Sequence, residues 1–205
     1  MELLELADYR ASVARMHLAD TDIAGFRAAR DALFATHPQS PVPADDRPSF
    51  AGLDYYPPTA SFVVEVAPEP AEGTVTVDTG GPDGVVTYRR VARLVTGWGS
   101  LTLFWIDAYG GGLFLPFRDG TSGPDTYGGG RYLTDTVKGT FGRGVQLVDD
   151  GLLRLDLNYA YNPSCAYDPR WACPLAPDEN WLTAPVTAGE RNYEPSKKMN
   201  GSVVR

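Results

Sequence analysis

An α+β fold, with an N-terminal helical hairpin followed by a mainly antiparallel β body, is expected from three features of this 205-residue chain. Apolar residues recur at helical spacing up to about residue 36. Prolines then break the chain repeatedly. From residue 61 onward short β-rich runs alternate with glycine turns and no helical pattern intervenes, which argues for an antiparallel barrel or sandwich.

The elements follow in order. Leu3, Leu6, Tyr9, Val13 and Met16 share one face of a helix over residues 2–19. Asp20-Thr21-Asp22 supplies capping side chains for a second helix. Ile23, Phe26, Ala29 and Leu33 form its apolar face, and Pro38 obliges it to stop near Thr36. Residues 38–60 hold six prolines and read as an extended arm, pinned by Phe50, Leu53, Tyr55 and Tyr56. Phe62, Val64 and Val66 alternate as a strand. Gly80-Gly81-Pro82-Asp83-Gly84 joins Thr74–Asp78 to Val85–Val91 as a hairpin. Leu94–Thr96, Leu101–Ile106, Leu113–Phe117 and Leu152–Asn158 are further strands. The chain reads as one domain over 1–191, with residues 192–205 a loosely held tail.

Composition excludes several classes. The net charge of −8 and the absence of a basic stripe disfavour nucleic acid and anionic membrane surfaces. No apolar run reaches the ~18–20 residues a membrane helix needs. The acidic start Met1-Glu2-Leu3-Leu4-Glu5 is unlike a secretion signal, so the expected location is cytoplasmic. Arginine exceeds lysine fifteen to three and aspartate exceeds glutamate eighteen to eight, as a GC-rich genome or a salt-adapted host would each produce. Cys165 and Cys173, with His17 and His37 remote in sequence, do not make a zinc site. In a reducing compartment these two cysteines are expected to be free.

Two segments have the composition of a site. In Phe117–Leu133, Arg118 and Arg131 bracket Gly128-Gly129-Gly130. Guanidinium groups beside accessible backbone amides suit an anion, although neither a P-loop nor a dinucleotide fingerprint is present. A tight turn and structural arginine pairs are the competing reading of the same residues. In Asp156–Trp181, Pro-broken chain carries many aromatic and amide side chains. Strand alternation places Arg154, Asp156 and Asn158 opposite Leu153, Leu155 and Leu157.

Aromatic walls with convergent polar groups line small-molecule pockets, and they also glue long loops to sheets. On the first reading Arg118 and Arg131 hold a small anionic or polar molecule. Asp156, Asn158 and Asn162 orient it, Tyr127, Tyr161 and Tyr167 wall it, and Gly129 and Asn180 are further ligand-binding candidates. Asp119, Asp156 and Glu179 are the candidate general acids or bases; with Asn158 they are also candidate ligands for a hard cation, though no metal site is assigned. On the second reading these groups form an internal hydrogen-bonded clasp in a non-enzymatic β scaffold. A flavin-like cofactor in a small barrel is a weaker third reading without a supporting motif. Cofactor, oligomeric state and enzyme status stay open.

At these residues the chain resembles a bacterial and archaeal domain-of-unknown-function family, number 1684 in its series. The resemblance spans roughly residues 22–190. It is carried by His37-Pro38-Gln39-Ser40-Pro41, Leu53-Asp54-Tyr55-Tyr56-Pro57-Pro58 and Leu115-Pro116-Phe117-Arg118-Asp119. Thr126-Tyr127-Gly128-Gly129-Gly130-Arg131-Tyr132-Leu133, Asp156-Leu157-Asn158, Ala160-Tyr161-Asn162-Pro163 and Ala188-Gly189-Glu190 continue it. Ser164 and Leu157 stand where the family usually has Pro and Phe. The resemblance implies a shared fold and a shared polar site, and it implies no reaction.

Overall fold

A computed structural model of the chain describes residues 1–79, 81 and 84–195. Two helices, α1 (Glu2–Leu18) and α2 (Ile23–Thr36), form the hairpin. Asp22 starts α2 by accepting a hydrogen bond from the Gly25 amide at 2.8 Å. The end of α1 is closed from the β body. Arg143 donates to the carbonyls of His17 (2.9 Å), Ala19 and Thr21 (2.9 Å), and so satisfies acceptors that a helix terminus leaves open.

The buried face of α1 is Val13, Met16 and His17. Leu3, expected on that face, is 80% exposed, because the first turn projects beyond the surface the helix packs on. On α2 the buried stripe is Phe26, Arg30 and Phe34, and Ala29 is exposed.

The body contains β1 (Val63–Val66), β2 (Glu69–Pro70), β3 (Thr74–Asp78), β4 (Val85–Thr96), β5 (Gly99–Ile106), β6 (Gly112–Phe117), β7 (Arg131–Asp135), β8 (Val145–Leu147) and β9 (Leu153–Asp156). All pairings between these strands are antiparallel. One sheet runs β2-β4-β5-β6-β7, with β3 also on β4, and the other runs β1-β9-β8. Leu94–Thr96 is not a separate strand. It continues β4 past a bulge between Arg90 and Ala92. Of the expected turn at 80–84, Gly80, Pro82 and Asp83 lie outside the described residues, as does the tail from 196.

Among the described residues no barrel closes. The outer edge of β7 does not return to β3; it is bridged by Tyr161 and Thr140. Side chains of both sheets instead share one core: Leu94, Leu101, Leu103, Leu115, Phe117 and Leu133 with Val66 and Leu155. A second, aromatic cluster of Tyr88, Phe104, Phe114, Tyr132 and Tyr161 extends toward the helices.

The proline-rich stretch after α2 contains a 3-10 turn, Arg47–Ser49. It is tied down where Leu53 N–H donates to Asp31 Oδ1 (3.1 Å) and Tyr56 N–H to the Gly189 carbonyl (2.9 Å). No described helix is long and apolar enough to cross a membrane.

Candidate functional site

The two segments singled out by sequence do meet. Arg118 bridges Trp181, Tyr132 bridges Tyr161, and the Tyr127 hydroxyl donates to Cys165 Sγ at 3.6 Å. Their polar side chains, however, are spent on neighbouring chain.

Arg131, fully buried, donates to Asp119 Oδ2 (2.8 Å) and to the carbonyls of Val186 (2.9 Å), Ala188 and Glu190 (3.2 Å). Asp119 Oδ1 accepts from Thr121 N–H (2.8 Å), Thr121 O–H (2.6 Å) and Val186 N–H (3.1 Å). The pair therefore fastens residues 186–190 to the end of β6 and the start of β7.

Asn180 does the same for its own turn. It is fully buried, accepts from Thr102 N–H (2.7 Å), and donates to the carbonyls of Thr102 (2.9 Å) and Pro116 (2.7 Å). Glu179 chelates the Arg90 guanidinium (Nη2–Oε1 2.7 Å) and accepts from Thr102 O–H (2.8 Å). The Arg90 contact holds the Glu179 carboxyl below the usual range.

The alternation expected across Leu153–Tyr159 stops at Asp156, where β9 gives way to a 3-10 turn, Leu157–Tyr159. Asp156 caps that turn, accepting from Asn158 N–H (3.1 Å) and Asn158 Nδ2 (2.8 Å). Asn158 in turn grips the Thr59 backbone through both its N–H and its carbonyl, each at 2.9 Å. Asp119, Asp156 and Glu179 thus sit in three separate networks. No three His, Cys, Asp or Glu side chains among the described residues gather as a metal site.

Arg118 stacks on Trp181, its guanidinium carbon 4.0 Å from the ring centroid. In the glycine triplet only Gly130 has a left-handed backbone (φ +95°), and a Cβ there would lie 2.5 Å from the Phe117 carbonyl oxygen. A Cβ on Gly129 would strike the Tyr127 ring.

Tyr161, Asn162 and Tyr167 lie elsewhere, on a cavity of about 370 Å³ between the helical hairpin and the 161–173 loop. Leu6, Tyr9, Val13 and Phe34 come from the helices, Tyr132 and Thr140 from the body, and Trp171 from the loop. Arg10, Lys138 and Arg170 also line it; Lys138 lies 3.7 Å from the buried Asp135 carboxyl and Arg170 3.1 Å from Asp168.

Behind this cavity lies a buried ion pair that sequence reasoning did not find. Arg30 Nη2 is 3.0 Å from Glu190 Oε2. Glu190 also accepts from Asn162 N–H (3.2 Å), Asn162 Nδ2 (3.2 Å) and the Tyr167 hydroxyl. Burial pushes the Glu190 carboxyl upward and Arg30 opposes it. The available signal was Arg30 itself, a charge midway between Phe26 and Phe34 on an otherwise apolar stripe.

Burial likewise raises Asp135, with Lys138 opposing. Four polar atoms of cavity-lining residues are buried without a hydrogen-bond partner among the described residues: Arg30 Nε, Asp135 Oδ1, Asn162 Oδ1 and Trp171 Nε1. Two are donors and two acceptors, and each unmet group costs roughly 1–3 kcal/mol.

Cys173 is part of the same wall. Its sulfur accepts the Cys165 N–H at 3.3 Å, and neither cysteine is in a disulfide. The hydrogen bond from the Cys165 thiol, helped by Lys138 and backbone N–H groups, outweighs burial and lowers the Cys173 thiol to about 6. The same contact, with burial, pushes Cys165 upward.

The chain is similar to an uncharacterised protein of Haloarcula marismortui known from a solution NMR structure. The two are 37% identical with a TM-score of 0.57, over 82% of this chain and 91% of that one. No curated protein matches the chain. A family model described as a protein of unknown function, DUF1684, matches residues 48–191, and the chain belongs to that family.

Proposed function

We propose that the cavity between the helical hairpin and the 161–173 loop binds a small molecule with an apolar body and an anionic or polar end. The observation that carries this reading is the coincidence of volume and lining. About 370 Å³ lies within the range of small-molecule pockets. The walls are aromatic and aliphatic, and Arg10, Lys138 and Arg170 line the cavity too, Lys138 within 3.7 Å of Asp135 and Arg170 within 3.1 Å of Asp168. Arg10, with Lys138 and Arg170, supplies the attraction for an anion, and Tyr9, Phe34 and Trp171 cover the apolar part. Of the residues chosen from sequence, Tyr161, Asn162 and Tyr167 belong to this site.

The Arg131–Asp119, Asn180 and Asp156–Asn158 networks we read as a clasp. Nearly every polar atom in them already has a partner within the fold, which leaves little with which to recognise a ligand.

Native mass spectrometry of gently purified protein tests the pocket. Retained mass should be present in the parent chain and lost in Val13→Trp, which fills the cavity from α1. Retained mass that survives Val13→Trp but disappears in Arg118→Ala would move the site to the Arg118–Trp181 surface and refute the proposal.

A further inference from the structure

We propose that Cys165 and Cys173 are a redox-active dithiol in the cavity wall, with Cys173 the attacking thiolate and Cys165 the resolving thiol, and that their substrate is a small disulfide. The cysteines are eight residues apart and their groups are in hydrogen-bond contact. Cys165 is also held by groups other than its partner. The 3-10 turn Ser164–Ala166 positions Cys165, and the Tyr127 hydroxyl donates to its sulfur at 3.6 Å. Cys173 faces the cavity beside Lys138. A thiolate there is stabilised by the Cys165 N–H and the Lys138 charge, the environment in which thiols become nucleophilic. Its depressed pKa agrees with that placement.

The Cys173 thiolate attacks one sulfur of R–S–S–R. A Cys173–S–S–R bond forms, the original S–S bond breaks, and RS⁻ leaves and takes up a proton. Cys165 then gives up its proton and attacks the Cys173 sulfur, expelling the second RS⁻. The protein loses two electrons and two protons, and the small disulfide is reduced to two thiols. The inference rests on the cavity only for access, so the substrate must be small.

The probe is bis(2-hydroxyethyl) disulfide, added to the full-length native protein at pH 6 and followed by intact mass after acid quenching. The parent chain should lose the mass of two hydrogens and keep no adduct. Cys165→Ser should stop at one mixed disulfide, mapped to Cys173. At this pH an ordinary thiol near ~8.5 would hold about a hundredfold less thiolate than Cys173, its higher nucleophilicity would return roughly a factor of ten, and Cys165 lies above that value. Cys173→Ser should therefore react at least about tenfold more slowly, at Cys165.

Peptide-resolved alkylation of the unsubstituted chain by iodoacetamide gives a second readout. Cys173 should reach half-maximal rate well below the ~8.5 of an ordinary thiol. Adducts on both cysteines without an internal disulfide would overturn the proposal. So would a Cys173 that is inert in the folded chain but reactive in urea, whatever ligand the cavity holds.

Discussion

Replacing Arg131 by alanine distinguishes a clasp from a ligand-binding arginine. The side chain is wholly buried and makes one ion pair and three hydrogen bonds to carbonyls of the 186–190 segment. Removing it leaves Asp119 Oδ2 buried without its counter-charge. Breaking a buried pair in this way costs about 3–5 kcal/mol. Three carbonyls lose a donor as well, at roughly 1–3 kcal/mol each where water cannot reach them. These losses are not additive, since the segment would partly peel away and hydrate. An expected destabilisation of about 4–6 kcal/mol follows, close to the whole stability of many domains. Urea unfolding followed by tryptophan fluorescence measures it. Arg131→Lys keeps the charge but forfeits the planar fork, and should recover only part of the loss. A change below about 1 kcal/mol for Arg131→Ala, with ligand binding abolished, would refute the clasp.

Three further outcomes follow from the same geometry. Asn180→Ala removes three buried hydrogen bonds to the backbone of β5 and β6 and should cost about 2–4 kcal/mol in the same assay. Gly130→Ala should cost at least ~2 kcal/mol through its left-handed backbone and its close carbonyl, while Gly128→Ala, with nothing nearer than 3.8 Å, should stay within about 1 kcal/mol; equal effects would contradict the turn assignment. Burial, with Arg30 and Arg143 nearby, lowers His17 from 6.5 to about 3, so the unfolded chain binds the proton first as pH falls. The stability this residue confers is complete above about pH 6.5 and declines toward pH 3, by about 2–3 kcal/mol between pH 7 and 4.5. His17→Leu should remove that slope relative to the parent, and unchanged slopes would show that His17 does not titrate as described.

The helices and most strands were legible because their signals are local. Asp22 and Pro38 bracket α2, and the glycine turns bracket β4 to β6. The missed strands lack such a signal. β7 begins at a buried arginine and ends at a buried aspartate, so composition gives it no apolar alternation. β2 and β8 are two and three residues long.

The open form of the sheets was not legible either. It depends on Tyr161 and Thr140, rather than a strand, meeting the edge of β7. Sequence singled out two segments that the fold brings together, but not the direction of their side chains. Asp156 and Asn158 were expected on one face of a continuing strand. The chain turns at residue 157, and both point into the 3-10 turn and Thr59. Glu190 and Arg30 are 160 residues apart and meet only through the fold.

The most direct test of the account is an NMR titration of the amide-labelled protein with a mixture of small aromatic and aliphatic carboxylates. The account predicts shifts concentrated around the cavity, at Val13, Arg30, Thr140, Asn162 and Cys173, and none around Arg131 and Asn180. Shifts concentrated at Arg118, Arg131 and Asp156 instead would contradict it.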